Sequence, residues 1–537
     1  AACGGATDGG TADGGAAAES AAGGESTAST QPAGNSGEKI VNVGVTDTLN
    51  SLNPLLLNGG EINKYATALM FLPLMELDAD LNFQGMLADS ITTEDNRNFI
   101  VHIDDAAVWS DGTPITAEDV AYTALRLTSP VINNTSMMYY VFEGVGEDGF
   151  VEAGADSVDG VQVIDEKTVQ FTTKESMSLT TFQNSYARYL LTLPKHVIEK
   201  YSEEELSTAE WFNKPDVVSG PFYVTEFDVD HYISYQANAD YWRGAPKIDR
   251  LNIKIVDGSQ LYAGLQSGEI DITQHTMSVI PPEDYASVEA LENVEVVYGS
   301  PVTNQSMFIQ TANVPDVRVR QAMLYAINRE QILTELLNGH GEVVDGFLSS
   351  ASPFYDDSIT PITYDPEKAK ALLEEAGWDG SQTLRFYVNS GDSTFVNAAT
   401  VMVAQWAAVG IKAEVQTVDF ATLMSVGGSR DYDILAVQYT YAPVDPYPDV
   451  AWLLGGEGSW TGYGDEEVTN ALTSTQLTSD EEIKGLYSIV DKKVQEDVPM
   501  ISAYIISAQG AVNKRLTGAV PSVYGFFNDV QNWDIVQ

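Results

Sequence analysis

Strand-like and helix-like segments alternate along the chain from about residue 38 onward. Apolar and polar residues alternate, as in a strand with one buried face, in "NFIVHI" at 98–103 and "KTVQFTT" at 167–173. "KIVNVGV" at 39–45 also indicates a strand, and "LNIKIV" at 251–256 is typical of a buried one. Because helix-like segments lie between such strands, the chain is constrained to an α/β architecture, in which helices cover the faces of sheets.

The clearest helix signal is "VPDVRVRQAMLYAINREQILTELLNG" at 314–339. Asp316 can cap its start and Gly339 can end it. Its apolar residues share one helical face; they are Met323, Ala326, Ile327, Leu333, Leu336 and Leu337. The pattern predicts one helix along this segment.

Three other segments carry helix signals. "YDPEKAKALLEEAGW" at 364–378 has Asp365 at the capping position, a proline at the first helical position and a glycine at the end. A helix-like run spans 62–75, and "VAQWAAVGIKAEVQTV" at 403–418 changes from helix to strand at a glycine.

Charge excludes one class of partner. The 537 residues include 27 Lys and Arg against 77 Asp and Glu, a formal net charge of −50. Such a surface repels phosphate backbones, so nucleic acid is not expected as a partner. It also excludes adhesion to an anionic membrane through a basic face. The length is typical of two or three domains.

The chain has one cysteine, Cys3, which excludes an internal disulfide framework and a cysteine-based zinc site. The opening "AAC" has the two small residues and the cysteine that end a bacterial lipobox. Residues 4–37 are Gly, Ala, Ser and Thr with scattered acids and no basic residue, a composition typical of a flexible tether. We therefore expect a lipid on Cys3 that holds a globular body near a membrane surface. The alternative is a chance thiol in a tail.

Sequence signatures of catalysis and metal binding are missing. The chain has no H-E-x-x-H, G-x-S-x-G or Walker A sequence, and its five histidines are far apart. The sequence therefore predicts no metal, no cofactor and no enzyme activity. A catalytic pair of carboxylates has no sequence signature, so an enzyme stays an alternative.

Long motifs in order along the chain carry a family resemblance. They are "SLNPLLL" (51–57), "LADSITTEDNRNFIVHIDDAAVWSDGTPITAEDVAYTALRL" (87–127), "SGPFYVTEFDVDHYISYQANADYWRGAPKIDRLNIKIV" (219–256), "LQSGEIDIT" (265–273), "DVRVRQAMLYAINREQIL" (316–333) and "VGIKAEVQTVDFATLM" (409–424). The chain resembles the solute-binding proteins of bacterial peptide-type ABC importers, the oligopeptide, dipeptide and nickel group known as extracellular solute-binding protein family 5. The resemblance runs from about residue 40 to residue 535.

The resemblance implies an α/β fold of the periplasmic-binding-protein-like type II clamshell, with two lobes, an extra domain and hinge closure around the ligand. The implied divisions are the lipidation site and tether at 1–37, domain I (lobe one) at 38–71, 194–300 and 508–537, domain II at 72–193 packed on lobe one, and domain III (lobe two) at 301–507.

The resemblance also implies the ligand contacts. They come from the loop after the first strand and from three stretches of domain III; the residues are Asn58, Gly59, Glu61, Asn389, Tyr439, Tyr441, Ala442, Asp445 and Trp460. An enclosed, mostly aromatic pocket with few polar groups is the expected type of site.

Two charged groups of the relatives are replaced in this chain. Where peptide-binding relatives carry an aspartate that pairs with the α-ammonium group, this chain has Ala442. Where dipeptide binders carry an arginine for the peptide carboxylate, it has Asn389. A buried ammonium group without its partner costs about 3–5 kcal/mol, so recognition of both ends of a dipeptide is not expected.

The implied function is the extracytoplasmic substrate-binding component of an ABC importer. The protein would capture a peptide or related small solute and deliver it to the permease subunits, working as a monomer held by the lipid on Cys3 at the outer face of the cytoplasmic membrane. The alternatives are a binder of a non-peptide solute, such as an oligosaccharide or a cationic solute, and a sensor or enzyme that uses the same fold.

Overall fold

The computed structural model describes residues 37–58, 60–136, 139–477 and 480–536. The expected lipidation site Cys3, nearly all of the expected tether and Gly59 lie outside these residues. Within them, no helix is both long enough and apolar enough to cross a membrane.

The regular elements of the described residues alternate as the sequence indicates. The strands are β1 Ile40–Val45, β2 Met75–Leu77, β3 Phe83–Gly85, β4 Ala88–Thr93, β5 Asn98–Ile103, β6 Val161–Val163, β7 Thr168–Thr172, β8 Phe222–Asp228, β9 Tyr232–Ala237, β10 Arg250–Ile255, β11 Ile272–Thr273, β12 Val294–Tyr298, β13 Thr303–Ile309, β14 Gly341–Glu342, β15 Thr383–Asn389, β16 Lys412–Val418, β17 Ile434–Thr440, β18 Met500–Ile506, β19 Gln509–Asn513, β20 Leu516–Thr517 and β21 Asp534–Ile535. The α-helices are α1 Glu61–Ala68, α2 Ala117–Leu127, α3 Leu179–Phe182, α4 Lys195–Ile198, α5 Glu203–Leu206, α6 Gly258–Ser267, α7 Tyr285–Glu289, α8 Val317–Tyr325, α9 Arg329–Leu337, α10 Pro366–Ala376, α11 Ser393–Val409, α12 Phe420–Ser429, α13 Tyr447–Leu454, α14 Glu466–Ser474 and α15 Asp480–Asp497.

A seven-stranded sheet has the order β12-β19-β11-β1-β10-β9-β8. The central strand β1 pairs in parallel with β10 and β11, so that Val43 lies beside Ile253 and Ile272. All three side chains are fully buried, as expected for a strand covered on both faces.

A four-stranded antiparallel sheet has the order β4-β5-β7-β6. Its inward residues, such as Phe99 and Val101, belong to the same apolar core as Val41 and Val43 of the seven-stranded sheet. The two sheets therefore form one packed body.

A six-stranded sheet has the order β14-β18-β13-β17-β15-β16 and separates two further apolar cores. The chain enters this part through residues 299–302, between β12 and β13, and leaves it through residues 507–508, between β18 and β19. We call residues 303–506 lobe two and the described residues on the other side of these crossings lobe one.

The strand predictions at 39–45, 98–103, 167–173 and 251–256 are confirmed, within a residue at each end. The cap predicted at Asp365 is confirmed as well, because its carboxylate accepts a hydrogen bond from the backbone N–H of Lys368 at 2.9 Å.

Two helix predictions are wrong in extent. The helix predicted over 314–339 is two helices, α8 and α9, because the side chain of Asn328 accepts the backbone N–H of Gln331 at 3.1 Å and begins a second helix. The helix predicted over 62–75 ends at Ala68, and the chain then turns so that β2 forms a hairpin with β3.

Candidate functional site

A cavity of about 350 Å³ lies between the two lobes. Lobe one contributes residues from the segment after β11, and the return crossing contributes its last residue; these are His275, Thr276, Val279, Ile280, Pro282, Tyr285 and Ala508. Lobe two contributes Thr303, Gln305, Leu337, Val388, Asn389, Asp392, Thr394, Phe395, Phe420, Leu423, Ala436, Gln438, Tyr439, Thr440, Tyr504 and Ile506. The volume falls within the range of small-molecule sites.

The floor of the cavity is one face of the six-stranded sheet. The register of β13 and β17 places Thr303 beside Thr440 and Gln305 beside Gln438, and alternate residues of a strand share a face. The two threonine hydroxyls lie 2.9 Å apart and hydrogen-bond each other. The floor therefore presents uncharged amide and hydroxyl groups.

The end of β15 forms one wall of the cavity. Asn389 accepts the backbone N–H of Gly391 at 3.0 Å through Oδ1. Asp392, the one carboxylate of the described lining, caps α11 by accepting the backbone N–H of Phe395 at 2.9 Å. Burial raises the pKa of Asp392. The described lining contains no Lys or Arg, so this wall offers no partner for a carboxylate.

The lobes touch at separate places around the cavity. The His340 ring of lobe two stacks on Tyr298 of lobe one, with centroids 3.6 Å apart and planes 7° apart. The Tyr524 hydroxyl of lobe one donates to the backbone carbonyl of Tyr441 at 2.8 Å. Contacts of this kind hold the two lobes together beside the cavity.

Comparison with known proteins decides which group of two-lobed proteins this is. The family model described as bacterial extracellular solute-binding proteins, family 5 Middle, matches residues 82–461. The chain belongs to this family. Its members are solute-binding transport proteins rather than enzymes, and they work outside the cytoplasm.

Individual relatives agree with the family model. A putative ABC transporter peptide-binding protein of Brucella ovis is 30% identical over 395 residues, covering 71% of this chain and 69% of the relative. The oligopeptide-binding protein AppA of Bacillus subtilis is 25% identical over 470 residues, covering 83% of this chain and 82% of AppA.

Solved structures show the same fold. The substrate-binding protein CtaP of Listeria monocytogenes superposes with a TM-score of 0.79 at 23% identity, covering 93% of this chain and 100% of CtaP. AppA of Bacillus subtilis, solved with a nonapeptide, superposes with a TM-score of 0.72 at 23% identity, covering 93% of this chain and 100% of AppA. The fold is the α/β clamshell of family 5 solute-binding proteins, with two lobes and an extra domain.

Of the residues that the family resemblance implies as ligand contacts, Asn389 and Tyr439 border the cavity. The Tyr439 ring lies on the other face of the sheet, however, because its neighbours Gln438 and Thr440 face the cavity. Its hydroxyl lies 3.0 Å from that of Ser306, and its ring stacks on Phe347 with centroids 5.7 Å apart. Because the Cα–Cβ bond of a strand residue fixes the face to which its side chain points, the ring does not stack on a ligand in the cavity in this conformation, and its contact with a ligand stays a prediction.

Tyr441 and Trp460 do not line the cavity. Tyr441 is 1% exposed, and its hydroxyl accepts the backbone N–H of Ser349 at 2.9 Å. Trp460 packs edge-on against Trp452 with centroids 4.8 Å apart. In this conformation both rings belong to the packing of lobe two, and their contact with a ligand stays a prediction.

The family's first-loop residues Asn58 and Glu61 do not line the cavity. Asn58 accepts the backbone N–H of Gly60 at 2.9 Å and the amide of Asn63 at 2.7 Å. Glu61 accepts a hydrogen bond from the hydroxyl of Thr276, a residue of the lining. Burial raises the pKa of Glu61, although Thr276 and nearby cations oppose the shift.

Asp445 links the two lobes instead of lining the cavity. It is 5% exposed. Its Oδ1 lies 3.2 Å from the hydroxyl of Thr181 in lobe one, and its Oδ2 accepts the amide of Asn184 at 3.5 Å. Ala442 lies one turn earlier, where its carbonyl accepts the backbone N–H of Asp445 at 3.0 Å. Ligand contacts of both residues stay predictions.

The polar floor residues Gln305 and Gln438 escaped the sequence analysis. Gln438 follows four apolar residues in "ILAVQYT", whereas Gln305 lies in the polar first half of "TNQSMFI". The change from apolar residues to a glutamine is a signal that could have identified Gln438, but no such signal marks Gln305.

Proposed function

We propose that this protein captures a peptide between its lobes and delivers it to the permease subunits of an ABC importer. The observation that carries the proposal is the cavity, whose lining comes from both lobes, while the described part of the chain crosses between them at 299–302 and 507–508. Two short crossings permit hinge closure around a bound solute. The peptide follows from the relatives, which are named peptide- and oligopeptide-binding proteins.

The peptide is held through its backbone rather than by its charged ends. No Lys or Arg of the described lining is available to a carboxylate, and the positions that carry the two charged groups in relatives are Ala442 and Asn389. Uncharged amides and hydroxyls on the floor suit peptide groups, which offer one donor and one acceptor each.

The domain division and the attachment of the protein belong to the same proposal. Domain I (38–71, 194–300 and 508–537) would contain the seven-stranded sheet, domain II (72–193) the four-stranded sheet and domain III (301–507) the six-stranded sheet. A lipid on Cys3 would hold a monomer at the outer face of the cytoplasmic membrane. Full-length protein should then sediment with membranes of its native host, and C3A should be soluble; equal membrane fractions would contradict the lipid.

The peptide is tested by a panel of titrations with protein stripped of any co-purified ligand. The panel contains free dipeptides, free peptides of four to eight residues, and the same peptides acetylated and amidated. We expect the blocked and the free longer peptides to bind within a few-fold of each other. Binding of free dipeptides that is lost on blocking either end would contradict recognition through the backbone, and binding of none of the peptides would contradict the proposed ligand class.

A further inference from the structure

Gln305 has an unusual environment in the cavity floor. It lies on β13 in the middle of the six-stranded sheet, beside Gln438 of β17 and Tyr504 of β18. Its side chain is part of the cavity lining, and the residue is only 2% exposed. Among the described residues, its Oε1 atom has no hydrogen-bond partner.

Folded proteins pair nearly all of their buried polar atoms. Within the part of the chain that the structure describes, the amide oxygens of Asn252, Gln509 and Gln531 are also buried without a partner, but none of these residues lines the cavity.

Some polar groups of the lining are already engaged, and the strand neighbours Gln438 and Tyr504 make no hydrogen bond to the Oε1 of Gln305. Thr303 and Thr440 hydrogen-bond each other, and Asp392 caps α11. The acceptor at Gln305 is therefore left for something that enters the cavity.

The chemistry of that partner follows from the cavity. It must donate a hydrogen bond to an amide oxygen, and it meets no Lys or Arg in the described lining. A peptide N–H meets both conditions, and it can be buried because its own carbonyl can be satisfied by the amide and hydroxyl groups on the same face.

We infer that Gln305 is a ligand-binding residue that accepts a hydrogen bond from a backbone N–H of the bound peptide. This inference rests on the proposed function and adds a residue and an atom to it. This hydrogen bond would contribute to the binding of a peptide that makes no ion pair through either terminus.

The first test replaces Gln305 by an apolar residue of similar size. Q305M should leave the melting temperature of the ligand-free protein unchanged or higher, because no hydrogen bond within the protein is lost. It should weaken binding of the blocked tetrapeptide that binds the wild type most tightly in the panel above, by about tenfold.

The matched control is Q310M. Gln310 is also a buried glutamine, 4% exposed, but it lies off the cavity, and its amide donates to the backbone carbonyl of Trp460 at 3.2 Å. Q310M should lower the melting temperature and leave the affinity unchanged. If Q305M behaves in the same way, Gln305 is a structural residue and the inference is wrong.

The second test identifies the N–H. Peptide bonds of the same blocked tetrapeptide are replaced one at a time by esters, which removes one N–H in each analogue. We expect one ester to weaken binding to the wild type by about tenfold while leaving binding to Q305M unchanged. Equal losses in both proteins at every position would overturn the inference but not the proposed function. Failure of the wild type to bind any peptide of the panel, blocked or free, would overturn both.

Discussion

At the scale of single residues, Asp445 carries a charge into the contact between the lobes. Its carboxylate meets Thr181 and Asn184 of lobe one, and burial raises its pKa from 3.8 to about 6 despite hydrogen bonds from both residues. The raised pKa favours the protonated form, so the contact contributes its full stability to the folded protein below about pH 4. This contribution is lost as the pH rises through 6, because Asp445 in the unfolded chain is exposed and has already released its proton.

We therefore expect D445N to stabilise the ligand-free protein at pH 8, by up to about 3 kcal/mol, since the amide avoids burial of a charge. The difference from wild type should disappear towards pH 4. Urea unfolding at several pH values measures it, with D240N, at an exposed aspartate, as the control. Destabilisation by D445N to the same extent at pH 5 and pH 8 would contradict the assignment.

At the scale of elements, a buried ion cluster of Lys64, Glu76 and Arg188 joins three segments of lobe one. These are α1, the hairpin of β2 and β3, and the segment that follows α3. Glu76 on β2 accepts from Lys64 of α1 and from Arg188, and all three residues are at most 4% exposed. Arg188 also donates to the side chain of Asn184 at 2.7 Å. The cluster thereby supports the residue that meets Asp445, so the packing of lobe one positions the contact with lobe two.

E76Q should destabilise lobe one by about 3–5 kcal/mol, because it leaves two buried cations with one neutral partner. The control is E367Q, whose parent carboxylate pairs with Lys370 at 2.7 Å on the exposed face of α10 and should contribute less than about 1 kcal/mol. Urea unfolding followed by tryptophan fluorescence compares them. Equal midpoints for the two variants would show that the cluster contributes no more than a surface pair.

Individual elements were predictable from sequence to the extent that local chemistry determines them. Alternation identified β5 and β7, and the Asp-Pro pair identified the start of α10. The break between α8 and α9 was missed, because the apolar face continues across it and only the cap at Asn328 marks it. In β17 the period of two already separates Gln438 and Thr440 from Tyr439 and Tyr441, but sequence alone does not say which face meets the cavity.

At the scale of the whole molecule, the proposed function depends on how lobe one and lobe two are arranged relative to each other. Long motifs were sufficient to identify the family and its clamshell, since they span most of the chain. The site was less predictable, because its walls come from segments as distant as the loop at 275–285 and the strand ends of lobe two. Which side chains face each other across such a cavity depends on the docking of the lobes, and local patterns carry little of that information.

The central claim is that the lobes close around a peptide in the cavity between them. The most direct measurement is small-angle X-ray scattering of the stripped protein with and without a saturating blocked peptide from the panel. We expect a smaller radius of gyration in the bound state, because the ligand contacts both lobes and stabilises the closed arrangement by about 2.7 kcal/mol at a hundredfold excess over Kd. An unchanged radius of gyration at saturation would contradict closure around the ligand.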